Sequence, residues 1–199
     1  MSEFTVTFAD GNPATSPSDD MLIRQIAAGD KGALNALFAR HQVKVYRFAL
    51  RIVRDAALAE DTVSETFIDA WRHAGRYEGR ASVSTWLLGI ARHRALTAAR
   101  RRPTEPLDSD AARNAIDPAR DPEAELGRKD TSAAIRRALA ALSREHAEII
   151  DLVYYQERSI RDIGEVLGIP ENTVKTRMFY ARKRLAALVA AEGIDRAAA

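Results

Sequence analysis

Proline placement constrains this chain more than any other feature. Pro13 and Pro17 lie near the N-terminus, Pro103, Pro106, Pro118 and Pro122 crowd together, and Pro170 stands apart. A proline inside a helix removes a backbone donor and clashes with the preceding turn, so long helices fit only from about 20 to 102 and from about 130 to 190. Residues 103–130 are also rich in Asp and Glu and poor in large apolar side chains, the composition of an extended, charged linker. The expected organisation is a tail over 1–19, a helical domain over 20–102, a flexible linker over 103–130, a second helical domain over 131–190 and a tail over 191–199.

Apolar spacing supports helices within the first stretch. Leu34, Leu37, Phe38, Val45, Phe48, Ala49 and Ile52 recur at three- and four-residue intervals, which marks one buried face on a helix from about Lys31 to Val53. His41 falls on that face, where a hydrogen-bonded core histidine is the simplest reading. A second stripe, Ala56, Ala59, Val63, Phe67, Ala70, Trp71 and Ala74, predicts the next helix, ended by Gly75. After a polar loop from Arg76 to Val83, Ser84 is the expected cap of a third helix running to Arg101. No alternation of β-branched residues competes with these helices, and the expected class is all-α.

Composition removes several chemistries. With 46% hydrophobic and 29% charged residues among 199, the chain has enough apolar surface for small cores. It has no cysteine, so thiolate metal sites, disulfides and a cysteine nucleophile are excluded. No run of apolar residues is long enough to span a bilayer, and the acidic start (Glu3, Asp10, Asp19, Asp20) lacks the blocks of a signal peptide, so a cytoplasmic location without membrane insertion is expected. His41, His73, His93 and His146 are scattered, and no phosphate-binding glycine loop, HExxH, GxSxG or EF-hand pattern occurs. No catalytic residue, metal site or cofactor is expected, and the chain does not read as an enzyme.

The second stretch carries a motif. In RSIRDIGEVLGIPENTVKTRMFYARKRL (158–185), Ser159 and Asp162 form a capping-box variant, and Ile160, Ile163 and Leu167 make an apolar stripe. Gly164 permits close packing, Gly168 ends the helix and Pro170 suits the start of another. A short helix, a tight turn and a longer helix is the spacing of a DNA-binding helix-turn-helix. At about 100° per residue, Val174, Met178, Ala181, Leu185 and Leu188 fall on one side of the second helix and Thr173, Thr176, Arg177, Tyr180 and Arg184 on another. Arginine chelates guanine and threonine meets a base edge or thymine methyl, while Lys175, Arg182 and Lys183 suit phosphates. Phe179 lies outside the packing stripe, and both a helix contact and a partner contact remain open for it.

These residues resemble a known family. LGIPENTVKTRMFYAR (167–182) is similar to the promoter-reading helix of bacterial sigma-70-type factors, specifically the extracytoplasmic-function group. AEDTVSETFIDAWR (59–72) and YEGRASVSTWLLGIARHRALTAARRR (77–102) resemble that group's second conserved region. The resemblance covers roughly residues 20 to 190. It implies a dissociable subunit that binds core RNA polymerase, directs it to promoters and assists melting. The first domain would engage the polymerase clamp and the minus-10 element, the second the minus-35 element, and an anti-sigma protein is an implied partner.

The resemblance also assigns residues. Asp61, Glu65, Ile68 and Arg72 share the face opposite the core stripe of their helix, placing an apolar side chain beside two carboxylates. That mixture suits a basic protein surface better than phosphate, and in the family this helix grips the clamp of the largest polymerase subunit. Arg92, Arg94, Arg100, Arg101 and Arg102, with His93, make a basic track of the kind separated strands require. Arg76 and Tyr77 add donors to the preceding loop, and the family captures a flipped minus-10 base there, so Arg80, Ser82, Val83, Ser84, His93 and Arg100 are the minus-10 candidates. Thr173, Lys175, Thr176, Arg177, Tyr180, Lys183 and Arg184 are the minus-35 candidates. Tyr180 stands where many relatives carry arginine and His93 where asparagine is common, so no promoter sequence carries over. Two rivals are a stand-alone helix-turn-helix regulator, opposed by the acidic patch and the first-domain motif, and a sigma mimic that sequesters a regulator, opposed by the basic reading face.

Overall fold

A computed structural model of the protein describes residues 17–101 and 125–192, with side chains described outside 125–132. The described elements are α1 (Asp19–Ala27), α2 (Lys31–Val53), α3 (Ala56–His73), a 3-10 turn (Ala74–Arg76), α4 (Val83–Arg101), α5 (Glu125–Ala140), α6 (Arg144–Tyr154), α7 (Ile160–Leu167) and α8 (Glu171–Ala191). No strand occurs among the described residues. The fold is all-α.

Caps fix where the helices begin. Ser18, Asp30, Asp55, Ser143 and Ser159 each accept a hydrogen bond from a backbone N–H in the first turn of α1, α2, α3, α6 and α7. Each satisfies a donor that the helix cannot pair internally. Ser159 also donates its hydroxyl to the Asp162 carboxylate, so the two residues read from the sequence as a capping-box variant are joined through the Ser159 hydroxyl. Gly168 takes the left-handed conformation (φ 67°) that stops α7, and a Cβ on Gly164 would lie 2.9 Å from the Ile169 carbonyl oxygen, so only glycine lets the turn fold back this closely.

Some expected boundaries move. The α4 cap is Ser82, whose Oγ accepts from the Thr85 N–H, and Ser84 lies inside the first turn. α3 stops at His73, and Gly75, expected to end it, lies within the 3-10 turn that follows. Residues 125–130, read from composition as the end of the linker, are the first turns of α5, because nothing after Pro122 bars a helix. The remainder of the expected linker before residue 125, and the tails before 17 and after 192, lie outside the described residues, Arg102 included.

In the first module, α2, α3 and α4 pack on one another and α1 closes the end of α2. Leu22, Ile26, Leu37, Val45, Phe48 and Leu87 are buried there, and Phe38 meets Phe67 edge to face. His41 is buried and its Nε2 lies 2.7 Å from Asp19, with Arg40 2.6 Å from the same carboxylate, so α1 is tied to α2 by charge as well as by apolar contact. In the second module α6, α7 and α8 enclose Ile149, Leu152, Ile163, Val174 and Ala181.

The modules are docked. α6 packs on α2, α7 packs on α4, and the buried apolar residues of both halves form one continuous cluster. The polar contacts across the seam are numerous: Arg92 Nε donates to Glu148 at 2.9 Å, Arg54 to the Leu142 carbonyl at 2.9 Å, and Gln156 to the Lys44 carbonyl at 3.3 Å.

Candidate nucleic-acid and partner interfaces

Four side chains of α3 form the patch expected to meet a protein partner. Asp61, Glu65, Ile68 and Arg72 are all exposed, Ile68 by 49%. α3 buries Ala59, Val63, Phe67 and Ala70 on its other side, so amphipathic spacing alone places the patch outward. Its edge is braced from α4: Arg94 makes a two-pronged bond to Asp69, both N···O distances 2.6 Å, and reaches Glu65 at 3.5 Å. Arg94, read from the sequence as part of a basic track, is therefore committed to α3.

The loop before α4 is built on Tyr77, whose hydroxyl donates to the Ala81 carbonyl at 2.6 Å and whose ring packs against Trp86. Burial pushes the Tyr77 hydroxyl up, with the Asp20 carboxylate adding to it, so it remains a donor at neutral pH. Arg80 is exposed and pairs with its neighbour Glu78. Ser82 and Ser84 present hydroxyls at the start of α4, while His93 and Arg100 are exposed further along it. Val83 is a correction. It is buried within the first module's core, because the first turn of α4 rolls its side chain inward, and it offers no surface to DNA. The loop, α4 and the end of α7 enclose an open cleft of about 760 Å³ that includes Tyr77, Arg80, Trp86, His93 and Leu167 in its walls.

On α8, Val174 and Ala181 are buried and Met178, Leu185 and Leu188 pack beside them. Thr173, Lys175, Thr176, Tyr180, Lys183 and Arg184 are exposed. Tyr180 and Phe179 touch edge to face and both protrude, so Phe179 belongs to the surface rather than to the helix packing. Arg177 differs from its neighbours: its side chain is 20% exposed and lies 3.4 Å from Glu145 on α6.

Comparison with known proteins decides what these surfaces belong to. Residues 37–104 match sigma-70 region 2, and residues 132–185 match sigma-70 region 4. The extracytoplasmic-function RNA polymerase sigma factor SigM of Mycobacterium tuberculosis is 35% identical, over 86% of this chain and 85% of its own. The chain belongs to the extracytoplasmic-function group of sigma-70 factors. SigL of the same species is 34% identical over 85% of this sigma factor and 96% of its own length. Among solved structures, CnrH in complex with the cytosolic domain of CnrY superposes with a TM-score of 0.65 at 25% identity, covering 87% of this sigma factor and 97% of that chain.

Sequence reasoning missed the groups that join the two regions of this sigma factor. Glu148, 1% exposed, and Asp151, 3% exposed, face region 2 from α6, and Arg158 reaches the start of α4 from the loop before α7. Burial pushes the Asp151 carboxyl above its ordinary range despite its bond from Gln156 and the nearby Arg51. The one available signal was the pair of acids within the apolar run AEIIDLV, residues 147–153, where a core strictly of its own would carry none. Among the described residues no cluster of His, Asp and Glu could hold a metal ion, and no helix is long and apolar enough to cross a membrane.

Proposed function

We propose that this sigma factor binds core RNA polymerase through Asp61, Glu65, Ile68 and Arg72, reads the minus-10 element with the loop and helix carrying Arg80, Ser82, Ser84, His93 and Arg100, and reads the minus-35 element with Thr173, Lys175, Thr176, Arg177, Tyr180, Lys183 and Arg184. The observation that carries the reading is the segregation of charge. The α3 patch sets carboxylates around an exposed isoleucine, which repels phosphate and suits a basic protein surface, whereas the exposed faces of α4 and α8 carry cations and hydroxyls suited to nucleic acid. The chain supplies no catalytic group in this scheme and acts in the cytoplasm, with bond making left to the polymerase. Residues 20–102 and the second module through residue 190 are the two recognition domains, and the segment between them is a strap. The solved relative CnrH is bound by the cytosolic domain of CnrY, and we extend that to an inhibitory anti-sigma partner for this chain.

Two assays test the proposal. Purified protein added to core polymerase and genomic DNA is expected to give transcripts sharing upstream elements, and the absence of any promoter-specific transcript would remove polymerase recruitment from the reading. Asp61→Lys with Glu65→Lys is expected to abolish pull-down of core polymerase while leaving duplex binding by α8 intact. Retained pull-down would move the polymerase contact elsewhere.

A further inference from the structure

We propose that a surface made jointly by α2, the C-terminal end of α6 and α8, outside the polymerase, minus-10 and minus-35 residues, binds single-stranded RNA: Lys44, Arg47 and Arg51 hold phosphates, and Tyr154, Tyr155 and Arg182 stack on bases. α2 carries a cation at 40, 44, 47, 51 and 54, the three- and four-residue spacing that sets all five on one face. Two of them are engaged within the molecule, Arg40 by Asp19 and the Pro17 carbonyl and Arg54 by the Leu142 carbonyl. Lys44 and Arg47 are exposed and make no hydrogen bond or ion pair among the described residues. Arg51 is half-buried, 3.6 Å from the buried Asp151, whose charge lies beneath the row rather than on it.

The packing of α6 on α2 sets aromatic rings beside these cations. Gln156 Nε2 donates to the Lys44 carbonyl at 3.3 Å, which pins the loop after α6 to the middle of α2. Tyr154 and Tyr155, at the end of α6, are 53% and 54% exposed. Arg51 lies 5.5 Å over the Tyr155 ring, and Arg182, read from the sequence as a phosphate contact, lies 5.5 Å over the Tyr154 ring. Each is a cation–π pair with part of its ring in water. Solvation accounts for a row of cations but not for two exposed rings set among them. Unpaired bases stack on aromatic faces and guanidinium planes while their phosphates seek cations, and a duplex hides those base faces. The hydroxyls of Tyr154 and Tyr155 have no partner among the described residues and can meet a ribose 2′-OH, which favours RNA over DNA. Glu157, the exposed acid of the same loop, is one carboxylate against four cations.

The test measures fluorescence anisotropy of a short labelled RNA of mixed, unpaired sequence with the full-length protein over a range of salt. Lys44→Gln with Arg47→Gln is expected to weaken binding about tenfold and to reduce the slope of log affinity against log salt by about 1.4, the value for two lost single-strand phosphate contacts. Lys175→Gln with Lys183→Gln, which removes the same charge from α8 elsewhere, is expected to cost less than about threefold; an equal loss would mean general attraction to a basic protein and would overturn the proposal. Tyr154→Leu is expected to weaken binding about tenfold with the slope unchanged, because stacking releases no counterions. An acidic protein would use the cations alone, so unchanged RNA affinity in Tyr154→Leu would assign the surface to such a partner and overturn the RNA reading. The same sequence as DNA is expected to bind about threefold more weakly, and equal or tighter DNA binding would overturn the choice of RNA. Should circular dichroism show lost helix in Tyr154→Leu, Tyr155→Leu, in the loop, is read in the same way.

Discussion

At the residue scale, what a charged side chain does depends on what it is tied to. Asp69 and Asp151 are both buried acids, yet they are expected to behave oppositely. Asp69 holds Arg94 by two bonds, so Asp69→Asn is expected to cost about 2 kcal/mol in urea unfolding, the worth of a charged hydrogen-bonded pair. Burial raises the Asp151 carboxyl, meaning that its charge is disfavoured there, and Asn keeps the acceptor for Gln156, so Asp151→Asn is expected to be neutral or stabilising. The Asp19–His41 contact sets a pH response. Burial lowers the His41 ring below its ordinary 6.5, more than Asp19 raises it. Burial alone would raise Asp19, but Arg40 and His41 together hold it below 3.8. Both groups bind protons more readily unfolded, so stability is full above pH 6.5, falls as His41 is protonated and falls again below 3.8. Thermal melts from pH 7.5 to 5 are expected to show a declining midpoint that flattens in His41→Gln.

At the element scale, α8 is a helix with one packed and one free side, and its substitutions separate by side. Tyr180→Ala and Thr176→Val are expected to lose about 1 to 3 kcal/mol of discrimination at single minus-35 positions, whereas Lys183→Ala weakens all sequences evenly. A binding-site library read by sequencing distinguishes the two, and equal selectivity losses would reassign the face. Arg177 must leave Glu145 before it meets a base, so Glu145→Gln is expected to tighten minus-35 binding slightly. The turn before α8 has less freedom. Gly164→Ala drives a methyl against the Ile169 carbonyl oxygen at 2.9 Å and is expected to cost about 1 to 3 kcal/mol.

At the scale of the whole molecule, two modules on one chain dock through a seam of apolar contacts edged by charged and polar groups, and the segment between them sets how often they meet. If residues 103–124 act as the proposed strap, doubling that segment with Gly/Ser repeats raises closure cost by about 0.6 kcal/mol, roughly a threefold fall in effective concentration. Energy transfer between dyes attached at Lys31→Cys and Ala187→Cys, both exposed positions, is expected to drop while helix content stays constant. Loss of helix would instead make the segment structural.

The sequence by itself determined every element whose cause lies within a few residues. The prolines bounded the two helical stretches, the apolar stripe placed α2 from Lys31 to Val53, Ser159 and Asp162 formed their box, and the region 2 and region 4 motifs identified the family. These are local signals, because a helix cap, a turn glycine and a 3.6-residue stripe act over one or two turns. The tertiary structure alone decided which of the candidate side chains are free. Arg92 and Glu148 lie 56 residues apart, and Arg158 and Ser84 74, so nothing local announces that they pair. The rotation of Val83 into the core likewise followed from where α4 begins, one residue ahead of the serine expected as its cap. A charge pair across a seam is fixed by how two modules approach, and that approach is a property of the packed surfaces rather than of either motif.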